Sequence, residues 1–445
     1  MIATRLTYLL LALAAVLLGL SQFYPLLKNF GLVLDIVLAI FVVIDYQLTI
    51  RPSFIIGSRE LSDRLSIGRE NSITLKILNQ GAQPISCLVK DDYPRNLEAD
   101  VALFAFRLPA LGESTLTYSV RPKRRGAYQF GDINLRYKSR LGLFWRQVKL
   151  PAARTIKVYS DLKALYDLSI RLSRSSELGE LHQRKRGQGT DFSSLREYTV
   201  GDDAKLIDWK ATARRDRPVV RTYEAEQEQR LLILIDAGRM MVSDLEGLTR
   251  FDHALNAALC LALTDLTHND QVGLGIFADK PLLYLPARRG KGYLKNMLDG
   301  CFDVEPRLVE PDYLGMLSYF AAAQKGRSLI VVLTDLTDPV GSQSLLSGLA
   351  GLSPRHLPFC VTLTDRQVIA VANSHLPSSQ SDKEIASIEL EPLYRRAVAI
   401  DLLAQREVAL SVLQRRGCLI LDCPPQELSD KIVDQYLEIK TRARL

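Results

Sequence analysis

Two long apolar runs open the chain, and period-two and helical patterns follow them. Residues 6–24 (LTYLLLALAAVLLGLSQFY) carry no charge, and 30–44 (FGLVLDIVLAIFVVI) follow after a break at 25–29. With their flanks, each approaches the roughly 20 residues that cross a bilayer, so a transmembrane hairpin is predicted over 1–50. From 51 to 160 the pattern shortens to SITLKIL, ISCLVKD, STLTYSV, YQFGDINLRY and RTIKVYS, broken by turn signals such as Asn79-Gln80-Gly81 and Arg125-Gly126. Alternation at that spacing predicts an antiparallel β-sandwich. Residues 160–186 are Ser/Arg-rich with partial helical periodicity; they and the charged run after them form a connecting segment, 161–229. In 230–445 apolar runs alternate with helical patterns: strands at 231–235, 271–278, 281–286, 328–335, 357–365 and 418–423, and helices at 249–266, 292–298, 313–323 and 391–416 before a last one. This is the pattern of a mostly parallel sheet with helices on both faces, an α/β doubly wound domain.

Length and charge change the picture modestly. At 445 residues the chain exceeds one ordinary domain, which fits these divisions. The net charge of +7 is spread, since 184–230 holds eleven Lys/Arg but also nine Asp/Glu. A nucleic-acid-binding face is therefore not expected. The six cysteines (Cys87, Cys260, Cys301, Cys360, Cys418, Cys423) have apolar neighbours and no C-x-x-C spacing, as free core thiols of a reducing compartment would. Arg5 precedes the hairpin and Arg51, Arg59 and Arg64 follow it, against only Lys28 between the runs. That asymmetry predicts an inner-membrane protein with both termini, and the large C-terminal portion, in the cytoplasm. RPKRRG (121–126) is a candidate contact for anionic lipid, and a solvated turn is the competing reading.

The segment 187–241 draws the rest together. It begins densely charged and ends in five apolar residues, 231–235, followed by Asp236, Ala237 and Gly238. Ligands in open α/β sheets bind just past the carboxyl ends of such strands. The runs LREYTVGDD, IDWKATAR and LLILIDAGRMM resemble the signature of the domain-of-unknown-function 58 family. The resemblance implies a membrane-anchored protein with an immunoglobulin-like β-sandwich, most visible at RRGAYQFGDINLRYKSRLGLFW, and a C-terminal von Willebrand factor A-like domain. It also implies a partner, a MoxR-type AAA+ ATPase.

The resemblance sets up an ion-site question. A metal-ion-dependent adhesion site joins D-x-S-x-S after the first strand, a Thr before a later helix, and an Asp after a strand ending in T-D. Here Asp236 and Thr334-Asp335 are present, but Gly238 and Met240 replace the serines and Asp312 stands near the Thr position. Asp236, Asp312 and Asp335 are thus candidate ligands for Mg²⁺, which favours oxygen donors, and no other cofactor is indicated. The competing reading is a degenerate pocket, with Arg239 neutralising Asp236. Arg196, Glu197, Asp202, Asp203, Asp208, Trp209 and Arg214 in the signature form either a partner-docking surface or an interdomain ion-pair and cap network tying the β-sandwich to the C-terminal domain.

Catalytic motifs are missing: there is no GxxxxGK[ST], HExxH or GxSxG, and Gly273-Leu274-Gly275-Ile276-Phe277-Ala278 lies within a strand, where it packs. His182, His253, His268, His356 and His375 have no ligand spacing. The expected function is a non-enzymatic, membrane-tethered adaptor for the ATPase, acting on envelope or metalloprotein targets. An outward-facing metal-dependent adhesion module and a metal-dependent hydrolase are the alternatives.

Overall fold

The computed structural model describes residues 2–20, 23–24, 26–101, 103–178, 186–199, 202–215, 217–224, 230–324, 326–336, 339–353, 355–374 and 390–441. Two compact units emerge, Met1–Leu162 and Lys163–Leu445, with several β-sheets between them.

In the first unit the apolar runs fold as helices Arg5–Leu20 and Leu26–Leu48. They pack closely because Gly31 has no side chain; a Cβ there would sit 2.9 Å from Leu18. Leu9, Phe30, Val33 and Ile36 remain more than half exposed. Among the described residues, the second run belongs to the one helix long and apolar enough to cross a membrane. Arg5–Leu20, at 16 residues, reaches about 24 Å.

The rest of this unit is mostly antiparallel sheet, the exception being the parallel pairing of Arg154–Tyr159 with Arg64–Ser66. One five-stranded sheet is ordered Ile2–Ala3, Phe144–Leu150, Ile133–Lys138, Ile85–Asp91, Phe104–Leu108, and a four-stranded one Ile55–Glu60, Asn71–Asn79, Glu113–Pro122, Leu97–Ala99. Ile73, Leu75 and Ile77 on one sheet and Ile133, Leu135 and Tyr137 on the other are fully buried, the period of two that a one-sided core requires. The sheets are tied by Arg59, whose Nε donates to Asp91 at 2.9 Å across the core, and by the Tyr118 hydroxyl on the same carboxylate. Arg59 is thus a core ion-pair partner, not a membrane-flanking charge. A three-stranded sheet pairs Arg154–Tyr159 with Arg64–Ser66 and Gly126–Phe130. YQFGDINLRY, which reads as one segment, is split between Gly126–Phe130 and Ile133–Lys138 in different sheets, the chain turning where Gly131 N donates to Asp92 O (2.7 Å).

The second unit begins with a helix where a linker was expected. Leu162–Leu178 buries Leu165 and Leu168 on one face, while 179–185, including His182, lie outside the described residues. The signature folds as a hairpin, Arg186–Glu197 against Val219–Glu224, with the short helix Trp209–Arg215 between; Val200 and Gly201 are outside the described residues.

The core of this unit is a six-stranded sheet ordered Pro281–Arg288, Gln271–Phe277, Arg230–Asp236, Leu329–Thr334, Leu357–Leu363, Leu419–Cys423. All neighbours are parallel except the Pro281–Arg288 edge. Numbered along the chain the order is 3-2-1-4-5-6, the doubly wound order whose reversal lies between the first and fourth strands. Leu232, Leu234, Ile330 and Val332 pack on one side against Tyr313–Ala322, Pro339–Leu352 and Leu390–Arg415. Helices Arg250–Thr267 and Pro425–Thr441 pack together and reach the sheet from their own side. Pro339–Leu352 was not expected, because PVGSQSLLSGLAGL has little polar contrast; burial of Leu345 and Leu349 holds it. All six cysteines are buried thiols.

Candidate functional site

The carboxyl edge of the sheet, at the reversal of strand order, is where the doubly wound layout puts ligands. Asp236 ends its strand there and is fully buried. Its Oδ2 accepts from the Tyr313 hydroxyl at 2.7 Å and from Thr334 Oγ1 at 2.7 Å, and its Oδ1 accepts from Gly238 N at 2.7 Å. Every donor is neutral. Burial pushes the Asp236 carboxyl above its ordinary value despite these hydrogen bonds. Burial also raises the Tyr313 hydroxyl, and the Asp236 charge adds to that.

Local sequence explains how these groups meet. Asp312 N-caps Tyr313–Ala322 by accepting from Gly315 N at 2.9 Å, which puts Tyr313 at the first helical position. The Tyr313 ring packs edge-on to Phe277, centroids 6.1 Å apart. Gly238 cannot be replaced by the serine of an ion motif without movement, since a Cβ would lie 2.8 Å from Pro311 Cδ. The missing hydroxyl position is thus filled by a proline ring.

Asp335, one residue beyond the next strand, is buried among cations. Arg250 Nη1 pairs with its Oδ2, and Arg406 Nη1 donates to Oδ1 at 2.8 Å. Arg406 also reaches Asp422 Oδ1 (2.7 Å) and Leu363 O (2.8 Å), while Arg250 Nη2 lies 3.6 Å from Asp365. Thr362 and Thr364 donate to Asp422 at 2.9 and 2.7 Å. Burial alone would raise Asp422, but the Arg406 contacts outweigh it and hold the carboxyl below its usual range. Arg250 is aimed inward by a reciprocal cap: Asp252 N donates to Thr249 Oγ1 (3.1 Å), which donates to Asp252 Oδ2 (2.6 Å).

Asp236, Asp312 and Asp335 therefore do not converge on one ion as expected. The first faces three donors, the second caps a helix and the third is held by two guanidinium groups. Among the described residues no three His, Cys, Asp or Glu side chains are grouped to hold a metal. This donor set does not fit Mg²⁺, since Asp236 is held by three neutral donors, Asp312 caps a helix and two cations stand beside Asp335. Arg239 does not neutralise Asp236; it pairs with Glu310 at 2.5 Å.

In the signature hairpin acids and bases meet one another. Arg196 Nη1 donates to Asp202 Oδ2 at 2.7 Å, Arg221 Nε to Asp208 at 2.9 Å and Arg217 Nη1 to Glu197 at 3.2 Å. Asp202 is held well below the usual carboxylate range first by Arg196, and Asp208 is lowered first by Arg221. Asp208 accepts from Lys210 N and Ala211 N at 3.0 Å and Asp203 accepts from Lys205 N. Trp209 stays 70% exposed, with Leu206 and Arg214 also facing solvent. These ion pairs lie within the hairpin segment itself, and Trp209 is left outside them. Nothing in the sequence marked Tyr313, Arg250 or Arg406; four strand-end acids, Asp236, Asp335, Asp365 and Asp422, were the one sign that counter-charges were needed.

Residues 194–411 belong to the family described as "Protein of unknown function DUF58". An uncharacterised protein of Mycobacterium tuberculosis is 23% identical over 238 residues, 52% of this chain and 73% of its own. The uncharacterised protein YeaD of Bacillus subtilis is 23% identical over 193 residues, covering 41% of this chain and 44% of its own length. Among solved structures, an aerotolerance-related membrane protein from Bacteroides fragilis aligns at 16% identity and TM-score 0.30, covering 47% of this chain and 98% of that one. The conserved hypothetical protein BatB from Bacteroides thetaiotaomicron aligns at 14% identity and TM-score 0.30, covering 48% and 100%.

Proposed function

We propose that this chain is a membrane-tethered, non-enzymatic adaptor whose von Willebrand factor A-like α/β unit binds a MoxR-type AAA+ ATPase at the cytoplasmic face of the inner membrane. The targets would be envelope or metalloprotein assemblies. Both apolar helices insert as a hairpin, the shorter accommodated by local thinning of the bilayer. Arg5 and Arg51 against Lys28 favour cytoplasmic termini.

The observation that carries the reading is Trp209, 70% exposed on a hairpin in which Arg196 pairs with Asp202 and Arg221 with Asp208. Tryptophan anchors interfaces out of proportion to its frequency, and the paired charges around it hold it in a fixed setting. The occupied carboxyl edge supports contact over turnover, because its acids are committed to Tyr313, Thr334, Arg250 and Arg406.

Purification of the full-length chain in detergent from its native membranes tests this. The wild type should retain an AAA+ ATPase, and Trp209→Ala should lose it while changing stability by less than about 0.5 kcal/mol. Repeated purifications that recover no AAA+ ATPase would overturn the reading.

A further inference from the structure

In the first unit a cavity of about 260 Å³ opens where Thr49 and Ile50 leave the apolar helix Leu26–Leu48. Arg107, Lys138 and Arg140 line it, and no carboxylate does. Among the described residues none of these three cations is in an ion pair. Strand register explains their company. Ser86 pairs with Arg107, and Cys87 with Tyr137, so alternation turns Ser86, Arg107 and Lys138 outward together.

The loop that carries Arg140 is fixed to both apolar helices. Asp45, buried three residues before the end of Leu26–Leu48, accepts from Leu141 N at 2.7 Å and from Leu143 N at 3.3 Å. Thr4 donates to Gly142 O at 2.8 Å, and Thr7 in Arg5–Leu20 donates to Leu143 O. Gly142 takes φ +82°, a left-handed turn that suits glycine. The cavity therefore sits at the level where apolar helix surface gives way to polar protein. In a membrane that level is the headgroup layer, in which phosphate is the abundant anion.

We propose that this cavity receives the phosphate of an anionic phospholipid from the leaflet at the carboxyl end of Leu26–Leu48. The inference rests on that helix being inserted in a membrane. Arg107, Lys138 and Arg140 supply the charge, and Ser86 a hydroxyl. The more obviously basic stretch, 121–126, is at the wrong end of its sheet. Ile55, near the cavity end, pairs with Asn79, whereas Val120 pairs with Asn71 at the other end of the same strand. Eight residue steps separate those ends, roughly 26 Å. Lys123 is moreover paired with Glu98 at 2.5 Å.

Delipidated full-length chain in a neutral detergent, examined by native mass spectrometry with added phosphatidylglycerol or phosphatidylcholine of matched acyl chains, tests the proposal. The wild type should retain one phosphatidylglycerol about ten-fold or more tighter than phosphatidylcholine, and Lys138→Gln with Arg140→Gln should remove that preference. Lys123→Gln with Arg124→Gln, at the far end of the sheet, should leave it intact, and millimolar inorganic phosphate should not displace the lipid. Equal retention of the two lipids, an unaffected Lys138/Arg140 variant, or displacement by inorganic phosphate, which would indicate a free-anion site, overturns the proposal. Alkaline carbonate extraction of native membranes reports on anchoring alone: release of the wild type would refute insertion, whatever the lipid measurement gives.

Discussion

Asp236 and Asp335 end adjacent parallel strands and are buried alike, yet they are held in opposite ways. Asp236 meets two hydroxyls and a backbone amide, and burial raises its carboxyl. Asp335 meets Arg250 and Arg406, which also tie in Asp365 and Asp422. A buried acid can be held by neutral donors, whose hydrogen bonds here do not offset burial, or by an opposing charge, and this sheet edge does each once, one strand apart. Both solutions commit the carboxylate to the protein's own donors.

The largest effect that would sharpen this contrast comes from removing a cation. Arg406→Met strands Asp335 and Asp422, and breaking a buried pair from one side costs about 3–5 kcal/mol, read as a lower urea midpoint of the detergent-solubilised chain. A loss below about 1 kcal/mol would mean that the arginine is not holding the edge together. Tyr313→Phe removes one neutral donor from Asp236 and leaves Thr334 and Gly238 in place. It should cost about 1–2 kcal/mol by the same measurement.

The smallest effect is expected at Asp236 itself, and it depends on pH. Its carboxyl is raised above the ordinary 3.8, so the folded chain keeps this proton where the unfolded chain has released it. The associated stability is complete below that ordinary value and is lost as pH rises through the folded one. Asp236→Asn resembles the protonated acid, so below the ordinary value it should change stability by less than about 1 kcal/mol, and it should flatten the profile above it. Melting curves taken from below the ordinary value upward check it; a variant whose stability falls more steeply with pH than the wild type would break the contrast.

The sequence made the architecture legible where pattern and burial coincide. Leu231 to Ile235 and the alternation of Ile73, Leu75 and Ile77 both announce their elements because each is a local rule. Sites assembled from distant positions were harder. Arg406 lies 71 residues from Asp335 on a helix rich in other arginines, and only burial separates it from them. The ion-motif frame directed attention to Asp236, Asp312 and Asp335, but acids at strand ends say where negative charge collects, not whether a metal, an arginine or a proton answers it. Trp209 was visible as a residue type, though its exposure was not. The basic run at 121–126 drew attention by composition, whereas Arg107, Lys138 and Arg140 are scattered in sequence and gathered by strand register.

Titration of Mg²⁺, Mn²⁺ and Ca²⁺ into the full-length chain, followed by calorimetry and by melting temperature, tests most directly whether the sheet edge is closed by the protein's own donors and cations. The expected result is no saturable heat at millimolar ion and a melting temperature indifferent to chelator. Saturable binding that is abolished by Asp236→Asn and raises the melting temperature, as a ligand specific to the folded state must, would contradict it.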